Sequence, residues 1–504
     1  MLRLLQHLST PNPQSGLVGI LEDRRQLQRR MQMIAIFAPK RRSFAAAGLL
    51  TILAIVGLTD AQVAPTLSTV FPSAGAATPA TSPGPVAIPQ PTGPYVLFLV
   101  NGSETMLGEF NAAVRPDEKK AIDYRERGRI YAVEGRSGTD EQKRAAPKWR
   151  RTVQMLEQML NALPAETNFH VALFFDDRIE RVAGRIDPND QQAIPNTIAR
   201  LRVAIPRGAA NLESAFGFVT DVLNAPRPER IVLITDGLPT TSSSSPSEGE
   251  ITEAQRIRYF QLATKRLPPR IPVHIVLLPL PPGDPAAPGL YWELANATRG
   301  GLTCPANPRS EPRTHLAFVI DTSGSMRDPN RGGLWPIVID TIEATLDAHP
   351  QLAGVQLLDG DGRFILGRRG NGAAGWLPNA PATRESIKRV LSRYDQDSIS
   401  NPIPGIYNAI RFLQDKDASG LRMGIYVLGD EYTSSDPAGA VLDRLDALNP
   451  RNTNGRRPIT ISAIGFPTTI RYQFSMGNTG LRFANLMRLL TYDHDGTFVA
   501  LPDL

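Results

Sequence analysis

From Tyr95 to Leu504 the chain alternates short apolar runs with segments of helical spacing, and it passes through the same plan twice. Buried strands separated by helices read as a parallel α/β architecture, because a parallel connection needs a long crossover. In the second half, Leu316–Ile320 is predicted as the first strand. Helices follow over Trp335–Leu346, Thr383–Tyr394, Ile406–Leu413, Ala438–Leu448 and Leu481–Leu490. Strands are predicted over Met423–Leu428, Ile459–Gly465 and Thr497–Leu501, with a hairpin of Ala353–Leu358 and Arg363–Leu366 around Asp359-Gly360-Asp361-Gly362. The first half has strands over Tyr95–Val100, His170–Phe175, Ile231–Thr235 and Val273–Leu280. Its helices are Trp149–Leu163, Asn211–Leu223 and Ile251–Leu267, and a further segment, Leu290–Thr298, precedes Gly300-Gly301-Leu302-Thr303. The charged stretch between Met106 and Trp149 reads as a solvated insertion at the sheet edge.

Ahead of this repeat lie two segments of different composition. Lys40-Arg41-Arg42 precede an uncharged, Ala/Leu/Ile-rich stretch, residues 43–58, followed by small residues near Thr59-Asp60-Ala61. A membrane span wants about 20 apolar residues. This shorter stretch suits the core of an export signal, with Met31 or Met33 as alternative starts, or an uncleaved membrane attachment. Residues 1–61 are thus a basic signal or anchor, and the expected location is periplasmic or extracellular. Residues 62–94 carry no charge and eight prolines, the composition of an extended spacer.

The net charge of +6 is local. Residues 1–42 hold eight basic and two acidic side chains, which leaves 47 of each sign in the remainder. A general nucleic-acid surface is therefore not expected. Cys304 is the only cysteine, so no intrachain disulfide or thiolate zinc cluster forms, and it reads as a buried thiol.

The strongest chemical signal is Asp321-Thr322-Ser323-Gly324-Ser325, directly after the apolar run Leu316–Ile320. An acid and two hydroxyls at a strand end present hard oxygens, which suit Mg²⁺, Ca²⁺ or Mn²⁺. This pattern resembles the metal-ion-dependent adhesion motif of von Willebrand factor A domains, and Ile425–Asp430 looks like the family's second acidic strand. The resemblance implies two tandem, doubly wound, mostly parallel sheets flanked by helices, over 95–306 and 313–504. It further implies Ser323 and Ser325 as direct ligands, with Asp321 and Asp430 binding directly or through water. A protein partner's acidic side chain would complete the shell. Pro404 stands where the family usually has a threonine, with Ser398 and Ser400 in the preceding loop.

In the first copy, Asn101, Ser103 and Thr105 take the motif positions, Ala210 replaces the threonine and only Asp236 keeps its acid. That copy is expected to bind no metal and to serve structure or protein contact. No nucleophile–base pair stands out, so an interaction protein is expected and not an enzyme. A metal-free scaffold and a metal-dependent hydrolase remain as alternatives. Asp359–Gly362 reads as a turn, Thr240–Ser245 as a flexible loop beside Asp236, and Asp493-His494-Asp495 as a solvated helix end.

Overall fold

The computed structural model describes residues 95–107 and 139–502, apart from residue 165 and segments 186–189, 223–227, 246–250, 280–283, 306–312, 329–332, 367–374, 416–421 and 471–477. All of them fall within one compact unit, Ala47–Leu504. The expected signal segment and spacer lie outside the described residues, as do most of the charged insertion and most of the Pro305–Arg313 connection.

Six strands come from the first half: β1 (Tyr95–Asn101), β2 (Asn168–Phe175), β3 (Arg178–Arg185), β4 (Arg230–Thr235), β5 (Val273–Leu277) and β6 (Leu302–Cys304). Six come from the second: β7 (His315–Ile320), β8 (Gly354–Asp359), β9 (Leu377–Pro378), β10 (Met423–Gly429), β11 (Ile459–Gly465) and β12 (Phe498–Ala500). They form one 12-stranded sheet in the order β3-β2-β1-β4-β5-β6-β12-β11-β10-β7-β8-β9. Read from either end, the order is the same: 3-2-1-4-5-6 meets its own mirror. Within each half the five inner strands are parallel and the outermost is antiparallel. Each half is thus doubly wound and the α/β class expected from the sequence is present, but the two separate sheets expected are one continuous sheet, because β6 and β12 pair where the halves meet.

The halves meet at β6 and β12, which pair antiparallel with Phe498 opposite Cys304 and Ala500 opposite Leu302. Helices flank the sheet: α1 (Asp140–Arg144), α2 (Pro147–Asn161), α3 (Ala193–Val203), α4 (Leu212–Val222), α5 (Glu253–Thr264) and α6 (Ala287–Thr298) in the first half. The second half supplies α7 (Gly324–Arg327), α8 (Trp335–Ala348), α9 (Pro381–Leu391), α10 (Ile403–Asp415), α11 (Ala438–Leu448) and α12 (Thr479–Asp493). Pro147, Pro336 and Pro381 sit in the first turns of α2, α8 and α9, where a missing N–H costs no hydrogen bond.

Across the joint α6 packs on α12. The Trp292 indole donates to Leu501 O (3.1 Å) and meets Phe498 edge-on (6.2 Å). Arg488 donates to Leu278 O (2.9 Å), and Gly289 N–H to Asn485 Oδ1 (2.8 Å). Gly289 has no side chain for a reason: a Cβ there would lie 3.0 Å from Leu481 Cβ. One apolar layer, including Leu99, Trp292, Val319 and Phe483, runs unbroken across both halves. Two further clusters cover the opposite face, one centred on each half. Cys304 is buried in this joint, and burial pushes its thiol up to about 12, consistent with an inert core residue.

Candidate metal centre

Because both halves are parallel sheets, the loops after β1 and β4, and after β7 and β10, sit at carboxyl-terminal strand ends, where α/β folds place their ligands. All four site residues expected in the second half gather there. Asp321 extends β7, its N–H bonded to Leu428 O (2.8 Å), and Asp430 directly follows β10. Asp321 Oδ1 accepts the Ser323 N–H (2.8 Å). The Ser323 and Ser325 hydroxyls share a hydrogen bond of 3.0 Å. Asp430 Oδ2 accepts from the Thr468 hydroxyl, and Asp430 O from the Thr469 hydroxyl (2.7 Å). Asp321 and Asp430 are fully buried. Each nevertheless leaves one oxygen, Asp321 Oδ2 and Asp430 Oδ1, without a well-formed hydrogen bond, although the Ser323 and Ser325 hydroxyls lie near enough to the two carboxyls to favour their charged forms.

A buried unpaired carboxylate oxygen is costly, and two acids facing one site compound the cost. Burial pushes both carboxyls well above the ordinary range. Asp321 then raises Asp430 further, and the neighbouring Glu431 raises both. Glu431 is itself buried and accepts from the Thr479 hydroxyl (2.9 Å). Among the described residues neither Asp321 nor Asp430 forms an ion pair. Orphaned carboxylate oxygens beside two serine hydroxyls are a donor set that fits a hard divalent cation.

Pro404 has no hydroxyl to offer, but a nearby serine reaches Asp321. Pro404 lies in the first turn of α10, which starts at Ile403, earlier than the sequence reading placed it. Gly405 lets that turn press against the sheet, since a Cβ would come 2.5 Å from Val319 Cγ1 and 2.8 Å from Asp359 O. Ser398, from the loop before α10, is buried. Its hydroxyl donates to Asp321 Oδ1 (3.4 Å) and accepts the Thr322 N–H (3.0 Å). Ser400 instead uses its backbone carbonyl, accepting from Thr433 N–H (3.0 Å) and hydroxyl (2.7 Å).

The corresponding loops of the first half also converge, with a different result. Asn101 Nδ2 donates to Asp236 Oδ1 (3.0 Å), as does the Thr105 hydroxyl (2.9 Å). Ser103 and Thr105 hydroxyls are 2.9 Å apart, and Ser103 N–H donates to Asn101 Oδ1 (2.9 Å). Lys148, the second residue of α2, is wholly buried; its ammonium donates to Asp236 Oδ2 (3.0 Å) and to Thr105 O (3.0 Å). Both oxygens of Asp236 are therefore satisfied. Burial lowers the Lys148 pKa and the Asp236 charge opposes that shift. Nothing about Lys148 in the sequence marks it, since it follows Asp236's partner loop by some forty residues of charged chain. Ala210, in the threonine's place, uses only its backbone, binding Thr240 through its N–H (2.9 Å) and carbonyl (2.9 Å).

Two minor expectations are corrected. The run Thr240–Ser245 is tied down, because Glu213 accepts from the Ser242 hydroxyl (2.5 Å) and the Ser244 hydroxyl (2.8 Å), and Asp177 from Ser243 (2.6 Å). The Asp493-His494-Asp495 helix end is buried, not solvated. Potential ligand atoms of Asp446, Asp493 and His494 lie within 4.8 Å of one another. The Arg457 guanidinium already occupies that charge, donating to Asp446 (2.5 Å) and Asp493 (2.7 Å). Burial pushes His494 down to about 4, so it stays neutral.

No protein-family model and no curated protein sequence matches the chain. Among solved structures it is similar to a von Willebrand factor type A protein from Catenulispora acidiphila (14% identity, TM-score 0.24), over 37% of this chain and 44% of that one. It is also similar to the manganese-loaded TRAP protein of Plasmodium vivax (16%, TM-score 0.20), over 37% and 57%. The vWF domain of the type V pili tip protein Mfa5 from Porphyromonas gingivalis matches over 81% and 89% (10%, TM-score 0.19). These likenesses are distant, and the chemistry is carried by the site's own residues.

Proposed function

We propose that the chain is an exported interaction protein made of two tandem von Willebrand factor A-like copies, 95–306 and 313–504, and that its second copy binds partners through a divalent cation. Ser323 and Ser325 would hold the ion through their hydroxyls, with Asp321 and Asp430 as carboxylate ligands, directly or through water. Ser398 stands in for the absent threonine by orienting Asp321. Mg²⁺ or Mn²⁺, or Ca²⁺, matches this all-oxygen set. A bound cation would attract a partner's acidic side chain to the sheet edge. Residues 43–58 would serve export or membrane attachment, and no catalytic role is assigned.

The observation that carries this reading is the pair of orphaned oxygens, Asp321 Oδ2 and Asp430 Oδ1, buried together without a cationic side chain among the described residues. Isothermal titration of the full chain with Mn²⁺ tests it. Wild type should take up the ion, and Ser323→Ala should weaken uptake by about tenfold or more. Equal affinity in the two proteins would remove the site. The metal-free scaffold remains the competing account, and it predicts a melting temperature indifferent to chelator.

A further inference from the structure

We propose that the Lys148 ammonium is the resident cation of the first site, a tethered side chain doing for Asp236 what a divalent ion would do for Asp321 and Asp430. The inference rests on the reading of the second site only for the comparison, since the Lys148 contacts stand by themselves.

Four observations point to it. Lys148 Nζ lies 3.0 Å from the carboxylate that occupies the position of Asp430, and 3.0 Å from the carbonyl of Thr105, the third residue of the motif positions. It is wholly buried, so it serves this site and no outside partner. The pairing is also one to one: with Asn101 at the first motif position, Asp236 is the single acid of that motif, and the Lys148 ammonium is its ion-pair partner. In the second site two buried acids, Asp321 and Asp430, stand at the corresponding strand ends, and no cationic side chain pairs with either among the described residues. The helix that follows the second motif begins Trp335-Pro336-Ile337, with isoleucine after the proline where α2 has Lys148 after Pro147. The first edge is therefore a metal-independent surface, set at folding, while the second answers to divalent ions.

The experiment uses the full chain carrying Asp430→Ala to silence the second site, with Mn²⁺ followed by electron paramagnetic resonance. This protein should bind no Mn²⁺. Adding Asn101→Asp and Lys148→Ala restores two facing acids and removes the ammonium, and should raise Mn²⁺ affinity by about tenfold or more. A folded triple variant, judged by its circular dichroism, that takes up no Mn²⁺ overturns the proposal. Should the triple variant unfold, Asp430→Ala alone decides. Mn²⁺ uptake there that disappears on adding Asp236→Ala overturns the proposal, and no uptake supports it. Wild type that binds no Mn²⁺ would instead overturn the second-site reading, leaving the gain in the first site as a separate result.

Discussion

The two loop clusters are built to one topological plan and solve the same electrostatic problem in opposite ways. Each gathers a motif loop after the first strand and an acid after the fourth. In the first, every oxygen of Asp236 has a donor within 3.0 Å, one of them a buried ammonium. In the second, Asp321 and Asp430 each retain an unsatisfied buried oxygen. Such a deficit in a folded protein calls for an explanation, and a bound cation is the one the proposed function supplies. The difference is one of pairing: a buried ammonium and an amide satisfy Asp236, and no cationic side chain pairs with Asp321 or Asp430 among the described residues.

The sharpest way to break this comparison is to remove the second acid from each cluster. Asp236→Ala strands a buried ammonium and should cost about 3–5 kcal/mol in urea unfolding, with or without chelator. Asp430→Ala removes one of two repelling acids and should raise stability by about 1–2 kcal/mol in chelator, while abolishing any stabilisation by Mn²⁺. Equal effects in the two halves would erase the distinction.

A second measurement sharpens it through pH. Burial pushes Glu213 up, but hydrogen bonds from Ser242, Ser244 and Arg266 outweigh it and hold the carboxyl at about 2. A depressed folded-state value stabilises the protein above the unfolded value and is lost as pH falls toward about 2. Glu213→Gln should therefore cost on the order of 2 kcal/mol between pH 5 and 7, with the gap from wild type closing toward pH 2. A pH-independent gap would show that this clamp on the Thr240–Ser245 loop is not electrostatic.

The smallest expected effect separates two neighbouring serines. Ser398→Ala leaves the buried Thr322 N–H without its acceptor and should cost about 1 kcal/mol. It should also lower Mn²⁺ affinity several-fold by freeing Asp321. Ser400→Ala should change neither, because Ser400 contributes its carbonyl. Equal behaviour of the two variants in titration and unfolding would remove Ser398 from the site.

Much of this was legible before the fold. The strands carrying the site are continuous apolar runs, and β11 and α11 begin and end where apolar periodicity and flanking polar residues place them. What escaped was short or remote. Strand β3 is charged along its exposed flank, with Arg178, Glu180 and Arg181 on an edge strand, so no buried-strand pattern announces it. Strand β6 has only three residues, too few for periodicity. At Pro404 the sequence offered both Ser398 and Ser400 from the preceding loop, and only the packing shows that Ser398 is the one whose hydroxyl reaches Asp321.

By itself the chain's pattern determined a twice-run α/β plan and the acid-and-hydroxyl run Asp321–Ser325 at a strand end, because apolar runs and their bordering polar groups are local properties; Asp430 was singled out by the family resemblance. Only the tertiary structure decided that both halves share one sheet and one apolar layer, that Ser398 reaches Asp321, and that Lys148 neutralises Asp236. Those are pairings between distant segments, and their partners are chosen by which buried charges and strand edges the completed packing leaves unsatisfied.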